Sequence, residues 1–474
     1  VYCGIDLGSS SLKCALFDES GARLGLGWAP VGLYHDASGA ALADTAEWER
    51  ALADALAQAL SESRQPAADI RALAVSGNGP TLVACGADGR ALGMAISWMD
   101  RRAAPQAQRI AAKVGRTIDP AFYLAKALAE LERRPEAPPS LFFSGPEYLA
   151  HRLGAEPVSY LPDDYYEPYI WDKSAADAMG LDRDLFPPYV RPCSPIGGVS
   201  RAAAERFGLK PGTPIAAGYP DFLATLVGSA SMKPGMVCDR SGSSEALNLC
   251  ARAPFKDGRL FSLPHAAAGL WNLSGGVSTS GKALEWFSKL AGYSGLGGDS
   301  LYQDFQAAAP GAGGALFLPY LAGERAPLWA PGLRGGFVGV GLAHGRRELA
   351  RAAVEGIVYG LKLALAVMAE GDEAPALIRC TGGAARNDAL CQLKADALGL
   401  AVEVPETPEA ETLGDACAAA VALGDYASVA QASASMVRCR RRFEPGADAA
   451  AIYKEGFDRW RLALENALAV TPRP

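Results

Sequence analysis

Aromatic side chains make up only 8% of this 474-residue chain, and there are just four histidines, His35, His151, His265 and His344. The histidines show no ligand spacing, so a zinc site is not expected. Ten cysteines form no Cys-x-x-Cys pair, and several interrupt apolar, strand-like runs. They read as small buried hydrophobes in a reducing compartment rather than a disulfide framework. No apolar run approaches the ~18 residues that a spanning helix needs, and no basic segment leads into a long apolar one at the start of the sequence. An excess of positive charge is missing as well: 45 Lys and Arg face 52 Asp and Glu, a net charge of −7. Such a chain is poorly suited to wrapping a polyanion, so neither nucleic acid nor membrane is expected as a partner. Low-complexity tracts are absent too, because the 53 Gly and 32 Pro are spread along the whole sequence, as many tight strand–helix connections require. What is there is a chain with half its residues hydrophobic, long enough at roughly 150 residues per domain for two or three domains with buried cores. It reads as a soluble, cytoplasmic protein of enzyme size.

The opening VYCGIDLGSSSLKCALFDES places apolar residues alternately on both sides of Gly8-Ser9-Ser10-Ser11: Ile5 and Leu7 before it, Leu12, Cys14 and Leu16 after it. That is the pattern of a β-hairpin. A second piece of the same design, MVCDRSGSSEALNLC, starts at Met236 and turns at Gly242-Ser243-Ser244. Half a chain apart, the two hint at an internal duplication. Lys233-Pro234-Gly235 lies just ahead of the second hairpin and marks the expected domain boundary. Trp48, Leu52, Leu56 and Leu60 recur at i+4 behind Asp44 and Glu47 in a capping-box relation, which predicts an amphipathic helix. A strand, IRALAVSG, follows near 70–77, and Ser144-Gly145-Pro146-Glu147 opens another helix. A last helix carries the stripe Tyr453, Phe457, Trp460 and Leu464. Strands interleaved with helices predict α/β lobes.

Four constellations can carry chemistry. In the first, Gly8, Ser9 and Ser10 form a turn whose amides and hydroxyls suit phosphate oxygens, with Lys13 within reach and Asp6 able to hold Mg²⁺. An ordinary hairpin, with Asp6 bonding its own turn, fits the same residues. The second is the duplicate turn at Gly242 and Ser243; a pair of such turns facing one another across a cleft would hold one polyphosphate. The third is IRCTGGAARNDALCQLKADALG, where a strand runs into Gly382-Gly383 and a helix starts near Asn387 with Leu390, Leu393 and Ala397 on one face. Glycines admit a flat ring or a phosphate to the backbone, and a helix N-terminus favours an anion; a plain strand–helix turn is the alternative. The fourth is Asp221, expected at the N-cap of a helix beginning near Phe222, where it either caps or accepts a proton from a substrate hydroxyl. Gly276-Val277-Ser278-Thr279-Ser280-Gly281-Lys282 fits GxxxxGK, but Ala283 follows where a P-loop needs a hydroxyl. It is expected to be a helix start, with Leu284 and Trp286 facing inward. Arg438, Arg440, Arg441 and Arg442 are expected at a solvated or anion-facing strand end.

Taken together, GIDLGSSSLKCALFD, WMDRR at 98–102, Asp221 after a strand, the second GSS turn, PYLAGERAPLWAPGLRGGFVGV at 319–340 and TGGAARNDALCQLKADALGLAV at 381–402 resemble the FGGY family of carbohydrate kinases. The blocks run in family order from residue 2 to about 424. The resemblance implies two α/β lobes of the actin-like, ribonuclease-H-like fold with a catalytic cleft between them. They would divide as 1–234, for sugar binding and the catalytic base, and 235–474, for ATP binding and the C-terminal helix. It also implies ATP-dependent phosphorylation of a sugar or polyol hydroxyl. Carried over position by position, Asp221 becomes the general base and Asp6 the carboxylate near Mg²⁺. Gly8, Ser9, Ser10, Lys13, Gly242 and Ser243 hold the β- and γ-phosphates, and Gly382, Gly383 and Asn387 lie along the adenosine. Trp98 and Asp100 line the sugar pocket together with the loop holding Asn78, Gly79 and Pro80.

That loop, Ser76-Gly77-Asn78-Gly79-Pro80-Thr81, lacks the Gln-x-His-Gly element of xylulokinases and the Arg-Glu pair of glycerol kinases, and is about two residues shorter. WMDRR is similar to the xylulokinase-like W-x-D-x-R. The implied substrate is therefore a ketopentose such as xylulose, met by an altered pocket. Gluconate, ribulose, erythritol and glycerol stand as alternatives, and an inactive actin-like ATP-binding sensor is the alternative from another class. A homodimer is expected only by analogy.

Overall fold

The computed structural model describes residues 1–134, 136–294 and 301–471. The chain forms two compact units, one of Val1–Ala230 with Ala410–Val437, the other of Ser231–Glu409 with the chain from Arg438 onward. A single cut at 234/235 therefore omits a returning segment, 410–437, that packs with the first unit.

The first unit is built on a six-stranded sheet in the order 195–198, 214–220, 72–77, 2–7, 11–17 and 23–30. The strand Tyr2–Leu7 is buried at every position, as a central strand covered on both faces must be. It pairs antiparallel with Ser11–Phe17, setting Asp6 opposite Lys13 and Leu7 opposite Leu12. On its other side it runs parallel to Ala72–Gly77, which in turn runs parallel to Pro214–Pro220. The second unit repeats this arrangement. Met236–Ser241 pairs antiparallel with Glu245–Ala251 and parallel with Leu377–Gly382, and Trp271–Val277 and Val402–Pro405 extend the two sides. One five-strand order thus occurs twice, as the paired hairpins foretold.

Helix starts show where local chemistry held and where tertiary contacts overrode it. Ser144 and Glu147 form the reciprocal capping box at the head of Gly145–Leu153. At Thr45–Ser63, Asp44 accepts from the Ala46 amide, but Glu47 leaves the box. Its carboxylate instead accepts from the Gly32 amide at 3.0 Å and from the Tyr34 hydroxyl, because those donors on the neighbouring loop need an acceptor. In Gly281–Leu290 the inward residues are Leu284 and Phe287, while Trp286 is 40% exposed and stacks on Phe317. Two residues along a helix is a rotation of about 200°, so Leu284 and Trp286 cannot share a face. The last helix, Ala447–Ala469, buries the stripe Tyr453, Phe457, Trp460 and Leu464. None of the ten cysteines forms a disulfide; eight are buried, Cys193 is half-buried and Cys439 is exposed on the edge strand Cys439–Phe443.

Two helices of the first unit touch almost backbone to backbone. A Cβ on Gly228, at the end of Asp221–Gly228, would lie 1.8 Å from the Ala410 carbonyl oxygen. One on Gly414, in Ala410–Ala422, would lie 2.1 Å from that of Ala224. Only glycine permits this approach, and it brings Glu411 against the helix that starts with Asp221.

Candidate active site

In the first unit the hairpin turn is exposed at Ser9 and Ser10, and its Gly8 amide donates to the Ser11 carbonyl at 3.0 Å. Behind it the Lys13 ammonium stands 3.6 Å from the Asp6 carboxylate. Asp6 is 3% exposed, and its Oδ1 is buried with no hydrogen-bond partner among the described residues. Burial pushes its carboxyl up to about 7; Lys13 opposes that shift, while the negative charges of Glu411 and Asp221 add to it. Asp415, also fully buried, accepts from the Ser76 hydroxyl at 2.7 Å and is held well above the usual carboxylate range, first by burial and further by Asp6 and Glu411.

Asp221 is the first helical residue rather than the N-cap, which is Pro220. The strand Pro214–Pro220 continues further than its apolar run predicts, and the helix begins one residue earlier. Its Oδ1 accepts from the adjacent Phe222 amide at 2.6 Å. Thr225, one turn on, donates to the Asp221 carbonyl at 2.8 Å and lies 3.1 Å from Glu411 Oε1.

The segments assigned to the sugar are tied to this turn by a chain of hydrogen bonds. Trp98 Nε1 donates to Ser9 Oγ at 3.0 Å and its amide donates to Thr81 Oγ1 at 3.3 Å. The Thr81 hydroxyl donates to Asn78 Oδ1 at 2.6 Å, and Asn78 Nδ2 donates to the Leu7 carbonyl at 2.9 Å. Lys126, on the helix Tyr123–Arg133, reaches beneath and donates to the carbonyls of Pro80 at 2.8 Å and Ser97 at 2.7 Å. Gly79 sits over the Tyr123 hydroxyl, where a Cβ would lie 2.9 Å away. Asp100 does not join this group. It is 2% exposed, and its carboxylate is spent on the Ala41 amide at 3.1 Å and on Arg102, whose Nε lies 2.9 Å away. The group it presents is the Arg102 guanidinium, which is 41% exposed.

In the second unit, Gly242, Gly383 and Asn387 line one cavity of about 690 Å³, a volume within the range of small-molecule sites. Ser241, Gly242 and Gly281 border it; Leu284, Val354, Ile357 and Leu390 are its apolar lining, with Gln303 and Gln306 as polar groups. Gly382, at φ +72°, would set a Cβ 2.1 Å from the Ser241 carbonyl oxygen, so only glycine fits there, while at Gly383 a Cβ would meet open space. Asn387 caps Asp388–Leu398, accepting from the Leu390 amide at 3.1 Å. Arg386, Arg440 and Arg441 line an adjoining depression. Arg386 and Arg441 are paired with Glu409 and Asp388.

Glu411, Asp415, Lys126 and Lys394 escape a motif-by-motif reading. Their signal is a charge placed on an apolar helix face, in YLAKALAEL, ALCQLKADAL and ETLGDACAAA. Buried charges are rare unless paired, and each of these is buried or borders buried carboxylates.

A buried carboxylate paired with a lysine beside the Gly-Ser turn of one α/β unit, and a cavity of about 690 Å³ bordered by Gly242 in the other, are parts that a nucleotide-dependent phosphotransferase uses. The sequence is 26% identical to a xylulose kinase of Bacillus subtilis, over 97% of this chain and 95% of that protein. It is 28% identical to a gluconokinase of Bacillus licheniformis, over 98% and 96% respectively. The crystal structure of a ligand-bound xylulose kinase from Lactobacillus acidophilus superposes with a TM-score of 0.83 at 24% identity, over 99% of this chain and 98% of the other. The N-terminal domain model of the FGGY family of carbohydrate kinases matches residues 1–121, and its C-terminal domain model matches 240–423. The chain belongs to the FGGY family, and its activity is ATP-dependent phosphorylation of a carbohydrate hydroxyl.

Proposed function

We propose that this kinase transfers the terminal phosphoryl group of Mg²⁺-bound ATP to a ketopentose such as xylulose, with Asp221 as general base. The observation that carries the reading is the placement of Asp221 in the first turn of a helix, close enough to Asp6 for its charge to be felt there. A helix N-terminus favours the ionised carboxylate, which is the form that accepts a hydroxyl proton. Such a positioned base contributes about 10²–10⁴-fold; the rest of the catalysis is positioning and charge neutralisation.

Asp6, with a buried carboxylate oxygen that no described group satisfies, fits a hard cation that takes oxygen ligands, directly or through water. Mg²⁺ would supply neutralisation of the transferred group's charge. Lys13, Gly8, Ser9 and Ser10 are assigned to the phosphates, as are Gly242 and Ser243. Gly382, Gly383 and Asn387 are assigned to the adenosine. Asn78, Gly79, Pro80 and Trp98 are assigned to the sugar, with Asp100 holding Arg102 in place. The names of the relatives support xylulose. A second reading, a sugar acid such as gluconate, draws support from Arg102, a half-exposed guanidinium anchored on a buried carboxylate and suited to a substrate carboxylate. Ten cysteines that form no disulfide support a reducing, cytoplasmic compartment.

A panel of sugars, sugar acids and polyols with coupled detection of ADP tests the assignment. Xylulose is expected to stimulate ADP release most, and Asp221→Asn to abolish the stimulation while ATP still binds in calorimetry. Strong activity in that variant removes Asp221 from its role, and a gluconate optimum replaces the ketopentose.

A further inference from the structure

Lys394, on the helix Asp388–Leu398, is fully buried, and its ammonium grips both strands of the second hairpin just behind the turn. It donates to Asp239 Oδ2 at 2.5 Å on the incoming strand and to Glu245 on the outgoing one. The other oxygen of Glu245 accepts from the Ser280 hydroxyl at 2.6 Å. Ser280 immediately precedes Gly281–Leu290, whose first two amides reach the turn: Gly281 donates to the Gly242 carbonyl at 3.1 Å and Lys282 to that of Ser243 at 3.2 Å. A Cβ on Gly281 would lie 2.5 Å from the Gly242 oxygen, so the helix start is pressed against the turn. Glu245, Ser280 and Lys394 all border the cavity of the second unit.

We propose that Lys394 is a positioning residue for the phosphate-binding turn Gly242–Ser244, acting through Glu245 and Ser280. Turn carbonyls fixed against the helix start set the peptide planes, and so the directions of the turn amides and hydroxyls offered to phosphate oxygens. A buried ammonium can hold this geometry because its charge is balanced within the cluster. Burial drives Asp239 towards its neutral form; burial is also the largest influence at Glu245, but Lys394 together with the hydrogen bonds to Ser280 and Asp239 holds that carboxyl below its usual range. The proposal rests on the reading that ATP occupies this cavity.

Calorimetric titration of the full chain with AMP and with ATP separates the two ideas. Lys394→Met removes the grip. Ser280→Ala breaks the relay while leaving Lys394, Asp239 and Glu245 in the chain, and decides the question if Lys394→Met does not fold. Both variants are expected to weaken ATP binding by about tenfold or more, the worth of one or two charge-assisted phosphate contacts, and to leave AMP binding within about twofold. Lys394→Arg is expected to restore part of the ATP affinity. Equal losses for both nucleotides, or no loss for either, overturn the positioning role while leaving the cavity as the nucleotide site. A wild-type chain that binds neither nucleotide overturns the cavity reading, and the positioning role with it.

Discussion

Lys126→Met tests the loop architecture of the first unit. The ammonium is 1% exposed and spans two carbonyls, those of Pro80 and Ser97, at 2.8 and 2.7 Å. Burial brings its pKa down to about 7, with Asp100 and Asp119 opposing that shift and Arg101 adding to it. Methionine fills nearly the same space but leaves both carbonyls without this donor, at a cost of about 1–3 kcal/mol each. The sign of the pH dependence follows from the lowered pKa. Below about pH 7 the lysine is charged in both folded and unfolded chains. Between there and about 10.4 the unfolded chain keeps a proton that the folded chain has released, so folding stability rises with pH by about 1.4 kcal/mol per unit. Urea unfolding of wild type and variant at pH 7 and pH 9 should therefore show a gap that widens by about 2 kcal/mol in favour of wild type. In the coupled assay at pH 8, the variant's KM for the sugar should rise severalfold with KM for ATP unchanged, because Asn78, Trp98 and their loops lose their common anchor. A gap that stays constant with pH, together with an unaltered sugar KM, refutes the reasoning.

Gly414→Ala should destabilise the first unit by about 2 kcal/mol or more, since the new methyl meets the Ala224 backbone rather than a movable side chain; activity should fall with it, and an unchanged urea-unfolding midpoint contradicts the close helix contact. Trp460→Ala should destabilise the second unit by about 3–5 kcal/mol, because the ring is fully buried and its Nε1 donates to the Phe317 carbonyl at 2.8 Å; a loss below about 1 kcal/mol, followed by chemical denaturation with fluorescence, contradicts it.

Elements governed by near neighbours were legible in the amino-acid order. The two hairpins, the Ser144–Glu147 box and the helix start at Asn387 rest on contacts between near neighbours, and the terminal stripe shows as a helical period before its distant partners are known. Misreadings arose where a partner distant in sequence competed. Glu47 left its cap for Gly32 and Tyr34, and Asp100, read as a pocket-lining group, is buried in holding Arg102 and Ala41. The pairing of Asp6 with Lys13 follows from hairpin register, seven residues apart. Its neighbour Glu411 is more than 400 residues away and has no motif of its own.

Composition only excluded other classes; the motif blocks, from the two Gly-Ser turns to TGGAARN, resemble FGGY carbohydrate kinases, and that resemblance implied the two α/β units and the kinase activity that the family models support. Periodicity, turn chemistry and motif spacing are properties of short stretches, and they survive without a fold. Which charges are buried, and what each is spent on, depended on tertiary structure. Only when 410–437 returns to the first unit does Glu411 meet the Asp221 helix. Only when the Asp388–Leu398 helix packs beneath the second hairpin does Lys394 find Asp239 and Glu245. A charge on an apolar helix face marks Glu411 and Lys394 locally, but the partner each meets lies more than a hundred positions away, and no local pattern encodes which one it is.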